Sequence, residues 1–326
     1  MTAKRVFITG GAGFIGSHLS ERLLDAGYRV LVLDDLSTGA MENIEHLLDH
    51  PGFAYRIGSV MDAPLVAELV DRCDLAVHLA AAVGVRLIIE KPVHTIETNV
   101  HGTETILQAV ARKQKPIVIA STSEVYGKAS QVPFREDDDL VLGPTSHARW
   151  AYACSKALDE WLGLAYAKAH RLPVMVVRLF NTVGPRQTGR YGMVLPTFAA
   201  QALRGEPITV YGSGRQQRCF SHVRDVSEAI TRLVSCEQAW GRVFNIGSDE
   251  EVTIADLAEL VRAAAGSTSP IVYVPYEDAY EEGFEDMMRR VPCVDRLRET
   301  IGFAPETPLR DIVADVVAEQ RRKICG

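Results

Sequence analysis

Long apolar runs, paired cysteines and metal-ligand spacings are what this sequence lacks. No run reaches the roughly 18 apolar residues that a membrane helix needs. The first residues, "MTAKRVFITGGAGFIG", lead into a strand and a glycine turn without an apolar signal core. A cytoplasmic protein without membrane spans is the expectation. The six cysteines (73, 154, 219, 236, 293 and 325) are scattered and form no CxxC pair, the distribution of reduced thiols rather than of a disulfide framework. The nine histidines show no HxxxH spacing beside a carboxylate, so no metal site is expected. Positive charge is also short. Lys and Arg total 35 against 42 Asp and Glu, a net charge of −7, which argues against general binding to nucleic acid or anionic membranes. A polyanionic ligand would need a local arginine cluster. Internal repeats and low-complexity tracts are absent as well.

What is present is ordinary globular material, 47% hydrophobic and 24% charged over 326 residues. Short β-rich runs at 5–10, 29–35, 53–60, 75–81, 116–122 and 173–181 alternate with helical stretches at 16–27, 63–72 and 98–113. This alternation predicts an α/β protein built on a doubly wound parallel sheet with right-handed crossovers. Gly27 is a suitable stop for the first helix. After Gly184 the rhythm changes, and a smaller C-terminal α/β lobe is expected. Residues 1–180, with a returning segment near 223–248, would form the sheet domain, and 181–222 with 249–326 the lobe. "EDDD" (136–139) reads as a solvated loop.

Two local patterns carry chemistry. "TGGAGFIG" places Gly10, Gly13 and Gly16 between the first strand and the first helix. Small residues there let the backbone turn tightly and approach a pyrophosphate seated on the helix N-terminus at Phe14, Ile15 and Gly16. Asp34 ends the second strand, where a carboxylate can grip a ribose 2′-OH. Asp34 and its neighbour Asp35 would repel a 2′-phosphate, so NAD is expected rather than NADP. "YACSK" puts Tyr152 and Lys156 one helical turn apart on one face. A nearby ammonium stabilises a phenolate, which makes the tyrosine a general base.

Together with "RLFNTVGPRQ", "ITVYGSGRQQRCFSHVRDV" and an Arg preceding "GFAP", these motifs resemble the extended short-chain dehydrogenases/reductases of the nucleotide-sugar epimerase/dehydratase family, over nearly the whole chain. The resemblance implies a Rossmann-like NAD domain with a UDP-sugar-binding lobe. It implies Thr122, Tyr152 and Lys156 as the catalytic trio, with Ser123 and Glu124 beside them. Ser37, Thr38, Gly39, Leu79, Ala80, Ala81 and Asn99 would line NAD, with Ser59 and Val60 at the adenine; many relatives have Asp where Ser59 stands. Asn181, Arg218 and Arg290 would hold the UDP diphosphate, and Val210 and Tyr211 would run beside the uracil. Val85, Arg86, Arg186, Arg190 and Val194 complete the substrate set. "RRVPCV" leaves open whether Arg289 or Arg290 points inward. A homodimer packed through the Tyr–Lys helix is also implied.

The reaction turns on "ASTSEVYG" (120–127). Family members oxidise a sugar carbon, usually C4, and diverge afterwards. Dehydratases of this type read Thr-Asp-Glu before "VYG", whereas Ser123 stands here in place of the Asp, so dehydration is not expected. Glu124 resembles the UDP-glucuronate decarboxylases, although a purely structural carboxylate is an equal reading. "AAAVGVR" (80–86) and "GPRQTGRYGMVLP" instead resemble 4-epimerases of UDP-glucuronate, with Arg86, Arg186 and Arg190 available to clamp a C6 carboxylate. The resulting expectation is NAD-dependent 4-epimerisation of UDP-glucuronate to UDP-galacturonate. The alternatives are UDP-glucuronate decarboxylation and, further off, UDP-glucose 4-epimerisation.

Overall fold

The computed structural model describes residues 3–83, 91–188, 193–279 and 287–325. In its first half, strands β1 (Arg5–Thr9), β2 (Arg29–Asp34), β3 (Phe53–Ile57), β4 (Leu75–His78), β5 (Ile117–Thr122) and β6 (Val174–Leu179) alternate with helices α1 (Phe14–Asp25), α2 (Ala63–Asp71), α3 (Pro92–Lys113) and α4 (Arg149–His170). There follow β7 (Thr182–Val183), α5 (Val194–Arg204), β8 (Ile208–Tyr211), β9 (Gln217–Cys219), β10 (Ser221–His222), α6 (Val223–Val234) and β11 (Val243–Ile246). The chain ends with β12 (Glu251–Thr253), α7 (Ile254–Ala265), β13 (Ile271–Val274), α8 (Tyr276–Ala279), β14 (Arg289–Arg290), α9 (Asp295–Ile301) and α10 (Leu309–Cys325).

Seven strands form one sheet in the order β11-β6-β5-β4-β1-β2-β3, and every pairing is parallel. This is the expected doubly wound Rossmann-like sheet, with β11 as a seventh strand that the short run "VFNI" does not announce. Helices cover both faces, so the strands are buried on both sides and read as continuous apolar runs. The period of two divides them. Val6 and Ile8 pack with Leu19, Val226 and Ile230, on the face of α1 and α6. Phe7 packs with Leu69, Ile106 and Val110, on the face of α2 and α3. Because β1 has β2 on one side and β4 on the other, the chain reverses direction there, and a crevice opens at the carboxyl ends of those strands.

The second core surrounds Leu195, Phe198, Ile208, Leu257, Val261, Ile312 and Val316. Val294 and Leu297 pack into the core beside α1 rather than into this one, so the final segment contributes to both. Helix α3 begins at Pro92 instead of Thr98; proline fits a first turn, whose N–H groups have no helical partner. "EDDD" is not wholly solvated. Glu136 is buried, its carboxylate accepts from the Asn245 N–H at 3.0 Å, and its carbonyl accepts from Arg178 at 3.0 Å.

Candidate active site

The glycine turn sits at the crevice. Gly10 has φ +71°, and a Cβ there would meet the Ala80 nitrogen at 2.8 Å. A Cβ on Gly16 would collide with the Gly10 carbonyl oxygen. Only glycine lets the turn, the start of α1 and the loop after β4 approach so closely. Gly13 caps α1 without a side-chain hydrogen bond, which leaves the N–H groups of Phe14, Ile15 and Gly16 at the helix end suited to a phosphate. Asp34 is buried at the end of β2 and accepts from the Ala12 N–H at 2.9 Å and the Leu36 N–H at 2.8 Å. Burial raises its pKa, against the lowering effect of those backbone donors. Gly39 lies against it: a Cβ there would come within 2.8 Å of the carboxylate. Asp35 is exposed and accepts from the Ser37 N–H at 3.0 Å, and Thr38 is exposed beside them.

Across the crevice, the Leu79 N–H donates to the Thr9 carbonyl at 3.1 Å and the Ala80 N–H to the Thr9 hydroxyl at 3.2 Å, with Ala81 next in line. Asn99 is buried and clamps this loop. Its amide bonds both backbone groups of Ala82 and donates to the Ser155 hydroxyl at 3.1 Å. Ser59 is half-buried, its hydroxyl accepting from the Met61 N–H at 3.2 Å, while Val60 is buried. The glycine cradle, the bare helix end and the carboxylate at the end of β2 together fit a dinucleotide whose ribose keeps its 2′-OH.

Tyr152 and Lys156 lie on α4, both buried. The Lys156 ammonium donates to Asp159 at 2.7 Å. Burial raises the Tyr152 pKa, and Glu124 raises it further, while a hydrogen bond with Thr122 and the charge of Arg290 act the other way. Thr122 also accepts from the Glu124 N–H at 3.2 Å, which fixes the short turn Ser123–Tyr126; Ser123 is buried in it. The Glu124 carboxylate accepts from Arg290 at 3.0 Å and stands 3.8 Å from Arg149. Burial alone would raise its pKa, but Arg290 and Arg149 outweigh burial and hold it below the ordinary value. Glu124 is therefore an ionised group beside the tyrosine.

Strands β9 and β14 bring two arginines together. Arg218 and Arg290 are register partners in a parallel pair, and both are buried. Arg289 points outward and bonds Glu251 at 2.6 Å, so Arg290 is the inward residue. Its guanidinium reaches Glu124 rather than standing free for a diphosphate. Arg186 is likewise committed elsewhere: it donates to Ser17 at 3.2 Å and to Glu21. Asn181 donates to the Cys219 carbonyl at 2.8 Å. Val194 and Val210 pack in the second core, so of the expected uracil pair Tyr211 alone presents an exposed side chain. Val85, Arg86 and Arg190 lie outside the described residues. Arg149 and Asp159 were not singled out from the sequence; each is a single helical turn from Tyr152 or Lys156, and that spacing was the available signal.

A family model described as GDP-mannose 4,6 dehydratase matches residues 7–316. A UDP-N-acetyl-α-D-glucosaminuronate decarboxylase of Bacillus cytotoxicus is 44% identical over 303 residues, 93% of each chain. UDP-glucuronic acid decarboxylase 1 of Danio rerio is 35% identical over 308 residues, 94% of this chain and 70% of that protein. Among solved structures, the UDP-glucose 4-epimerase of Thermus thermophilus in complex with NAD is similar at TM-score 0.83 and 29% identity, covering 97% of this chain and 99% of that one. The expectation of 4-epimerisation is overturned by these relatives: the named decarboxylases stand well above the epimerase in identity. The features that favoured epimerisation were "AAAVGVR" and "GPRQTGRYGMVLP"; Arg86 and Arg190 lie outside the described residues, and Arg186 is bonded to α1. The chain belongs to the family of that model, the NAD-dependent nucleotide-sugar epimerases and dehydratases of the extended short-chain dehydrogenase/reductase group.

Proposed function

We propose that the protein is an NAD-dependent decarboxylase of a UDP-hexuronate. The observation that carries the reading is the Glu124 carboxylate, held ionised by Arg290 and Arg149 beside Tyr152. A sugar whose C4 hydroxyl lies against Tyr152 and Thr122 has C5 and C6 only one and two bonds further on. The groups that adjoin Tyr152 are then those that meet C5 and C6. An ionised Glu124 is a poor proton donor, which disfavours assisted loss of a C6 hydroxyl. It repels a C6 carboxylate, and that repulsion is relieved when the carboxylate leaves as CO₂.

The glycine turn and Asp34 would hold NAD, which would supply hydride acceptance from C4 and hydride return to it after CO₂ has left. Tyr152 takes the C4 hydroxyl proton, and Lys156 and Thr122 stabilise the phenolate. In the resulting β-keto acid the C5–C6 bond breaks, CO₂ departs, and the bonding pair moves onto the C4 oxygen as an enolate. Thr122 and the protonated Tyr152 hydrogen-bond that oxygen. A proton from solvent then reaches C5, and Tyr152 returns its own proton as the C4 alcohol is restored. Arg218, on the strand beside Arg290, is the cation assigned to the substrate's phosphates, while Arg290 stays with Glu124.

Val93, Ile96, Leu158 and Trp161 are large exposed apolar residues on the adjacent helices α3 and α4, and we read that face as the contact with a second copy of the chain. The test of function is incubation with UDP-glucuronate and with its 2-acetamido analogue, followed by proton NMR. The expected product is a UDP-pentose with release of CO₂. The 2-acetamido substrate should turn over faster, in line with the 44% relative. Accumulation of UDP-galacturonate without CO₂ would refute the reading.

A further inference from the structure

Lys156 does not stand alone beneath the crevice. Its ammonium donates to Asp159 Oδ2 at 2.7 Å, and both side chains are almost wholly enclosed, at 3% and 0% exposure. Asp159 Oδ1 has no hydrogen-bond partner among the described residues. A helix-surface pair of this spacing would be a minor stabilising feature. A fully enclosed one is different: removing two charges from water costs several kcal/mol per ion, and apolar residues of similar volume commonly serve stability as well or better. Fold stability is therefore a weak reason for a carboxylate at this position, and its geometry relative to the reaction centre is a stronger one. Tyr152, Lys156 and Asp159 follow one another at one-turn steps along α4.

The surroundings are polar as well. Burial raises the Asp159 pKa above its ordinary value, against the lowering effects of the Lys156 ammonium and the Thr103 hydroxyl on α3; that hydroxyl is within 3.0 Å of His78 Nε2. His78 Nδ1 lies 2.7 Å from the Thr9 hydroxyl, which in turn accepts from the Ala80 N–H. A continuous buried polar path thus runs from Lys156 to the loop after β4 that lines the dinucleotide crevice. The titratable and charged groups around the pair are His78 from β4, Tyr152 and Glu160 from α4, and, around Tyr152 in turn, Glu124 and Arg290. Burial, reinforced by Lys156, holds His78 down at about 3, so it is neutral. Glu160 is taken by Arg178 at 2.7 Å. Asp159 is therefore the anion that answers the Lys156 charge.

We propose that Asp159 is a positioning residue for Lys156, keeping the buried ammonium charged and in place beside Tyr152 at the cofactor crevice. Without that carboxylate, the enclosed ammonium has only a neutral hydroxyl and a neutral histidine near it, and burial then favours loss of its proton. The role rests on the cofactor reading of the site and not on which sugar is converted. It is testable without any sugar present.

The experiment is titration calorimetry of NAD into the cofactor-stripped full-length protein across about pH 6 to about pH 9. The variants are Asp159→Asn, Asp159→Glu, Lys156→Met and Lys156→Met/Asp159→Asn, with thermal melts to establish folding. Wild type should hold a level affinity over the range. Asp159→Asn should match it at the acid end and then lose affinity as pH rises, by about tenfold per unit once Lys156 is deprotonating. Asp159→Glu, which restores the charge, should stay level. In the Lys156→Met background, Asp159→Asn should change nothing, because the two act through one ammonium. A profile of Asp159→Asn parallel to wild type would overturn the proposal. So would an equal loss in the Lys156→Met background, or failure of Asp159→Glu to restore a level profile. Absence of CO₂ release from a uronate would instead count against the decarboxylase reading and leave this result intact.

Discussion

Replacing Glu124 by Gln removes one negative charge and leaves the shape. The pair it disrupts is Glu124 with Arg290, at 3.0 Å and with side-chain exposures of 17% and 8%. At an effective dielectric constant of about 20, two charges at that distance attract by roughly 5 kcal/mol. Breaking one side of an enclosed pair typically costs about 3–5 kcal/mol, since the other charge stays buried. The Gln oxygen still accepts from Arg290, which recovers about 1 kcal/mol. A net loss of roughly 2–4 kcal/mol follows. With an unfolding entropy of about 2 cal/mol/K per residue, a chain of 326 residues should melt ~3–6 °C lower. The sign with pH is fixed by the direction of the shift. The Glu124 pKa lies below its unfolded value of 4.5, so its contribution is fully present above that value and is lost as pH falls through the lowered one. The gap between wild type and variant should therefore close in acid. On catalysis, the C4 oxidation needs only Tyr152, Lys156 and Thr122, whereas the C–C cleavage loses its adjacent anion. CO₂ release should fall by about a hundredfold or more, while reduced nicotinamide builds up on the enzyme and is visible in its near-ultraviolet absorbance. If Glu124→Gln releases CO₂ within about threefold of wild type, Glu124 is structural and the proposed site chemistry is wrong.

Gly16→Ala should fold but bind NAD at least ~10-fold more weakly, because its Cβ would push the Gly10 carbonyl out of the phosphate turn; fluorescence quenching on NAD addition measures this, and unchanged affinity would count against the cradle. Arg186→Ala should lower stability by roughly 1 kcal/mol without altering the preference for a uronate over a neutral UDP-hexose. Burial pushes Glu21 upward, but His18 and Arg186 hold it down at about 2, so this deficit should be present above the ordinary Glu range and fade as pH falls toward 2; a changed substrate preference would restore Arg186 to the substrate site. Trp161→Glu puts a charge in the centre of the exposed apolar face, where Trp161 is 62% exposed, and should convert a dimer to monomers in sedimentation velocity. A monomeric wild type would remove that face as an interface.

How far the sequence could carry the argument depends on how local each signal was. The glycine turn, the acid closing β2 and the Tyr–Lys pair were legible because each is a short-range pattern set by one turn or one helical face. The parallel sheet followed from strand–helix alternation for the same reason, while β11 was missed because four residues give little periodicity to count. Failures came where a side chain's partner lies far along the chain. Arg186 had the composition of a carboxylate clamp, but it bonds Ser17 and Glu21 on α1, and no spacing rule connects those positions. Glu136 sat in an acidic run that looked solvated, yet a strand more than a hundred residues on supplies its donor. The choice between Arg289 and Arg290 was settled by alternation on β14, which becomes readable only once β9 fixes which face is inside.

Glu124 combines both situations. Its place beside Thr122 is local and was visible in "TSEVYG". Its charge state is not local, because it is set by Arg149 from α4 and Arg290 from β14. That nonlocal setting separates the chemistries. The same letter would suit a structural carboxylate or a proton donor in a neutral pocket, and it becomes a fixed anion only when two guanidinium groups from distant segments converge on it. A reading from the sequence could therefore place the residue beside Thr122 and Tyr152 and still choose a reaction that the relatives contradict.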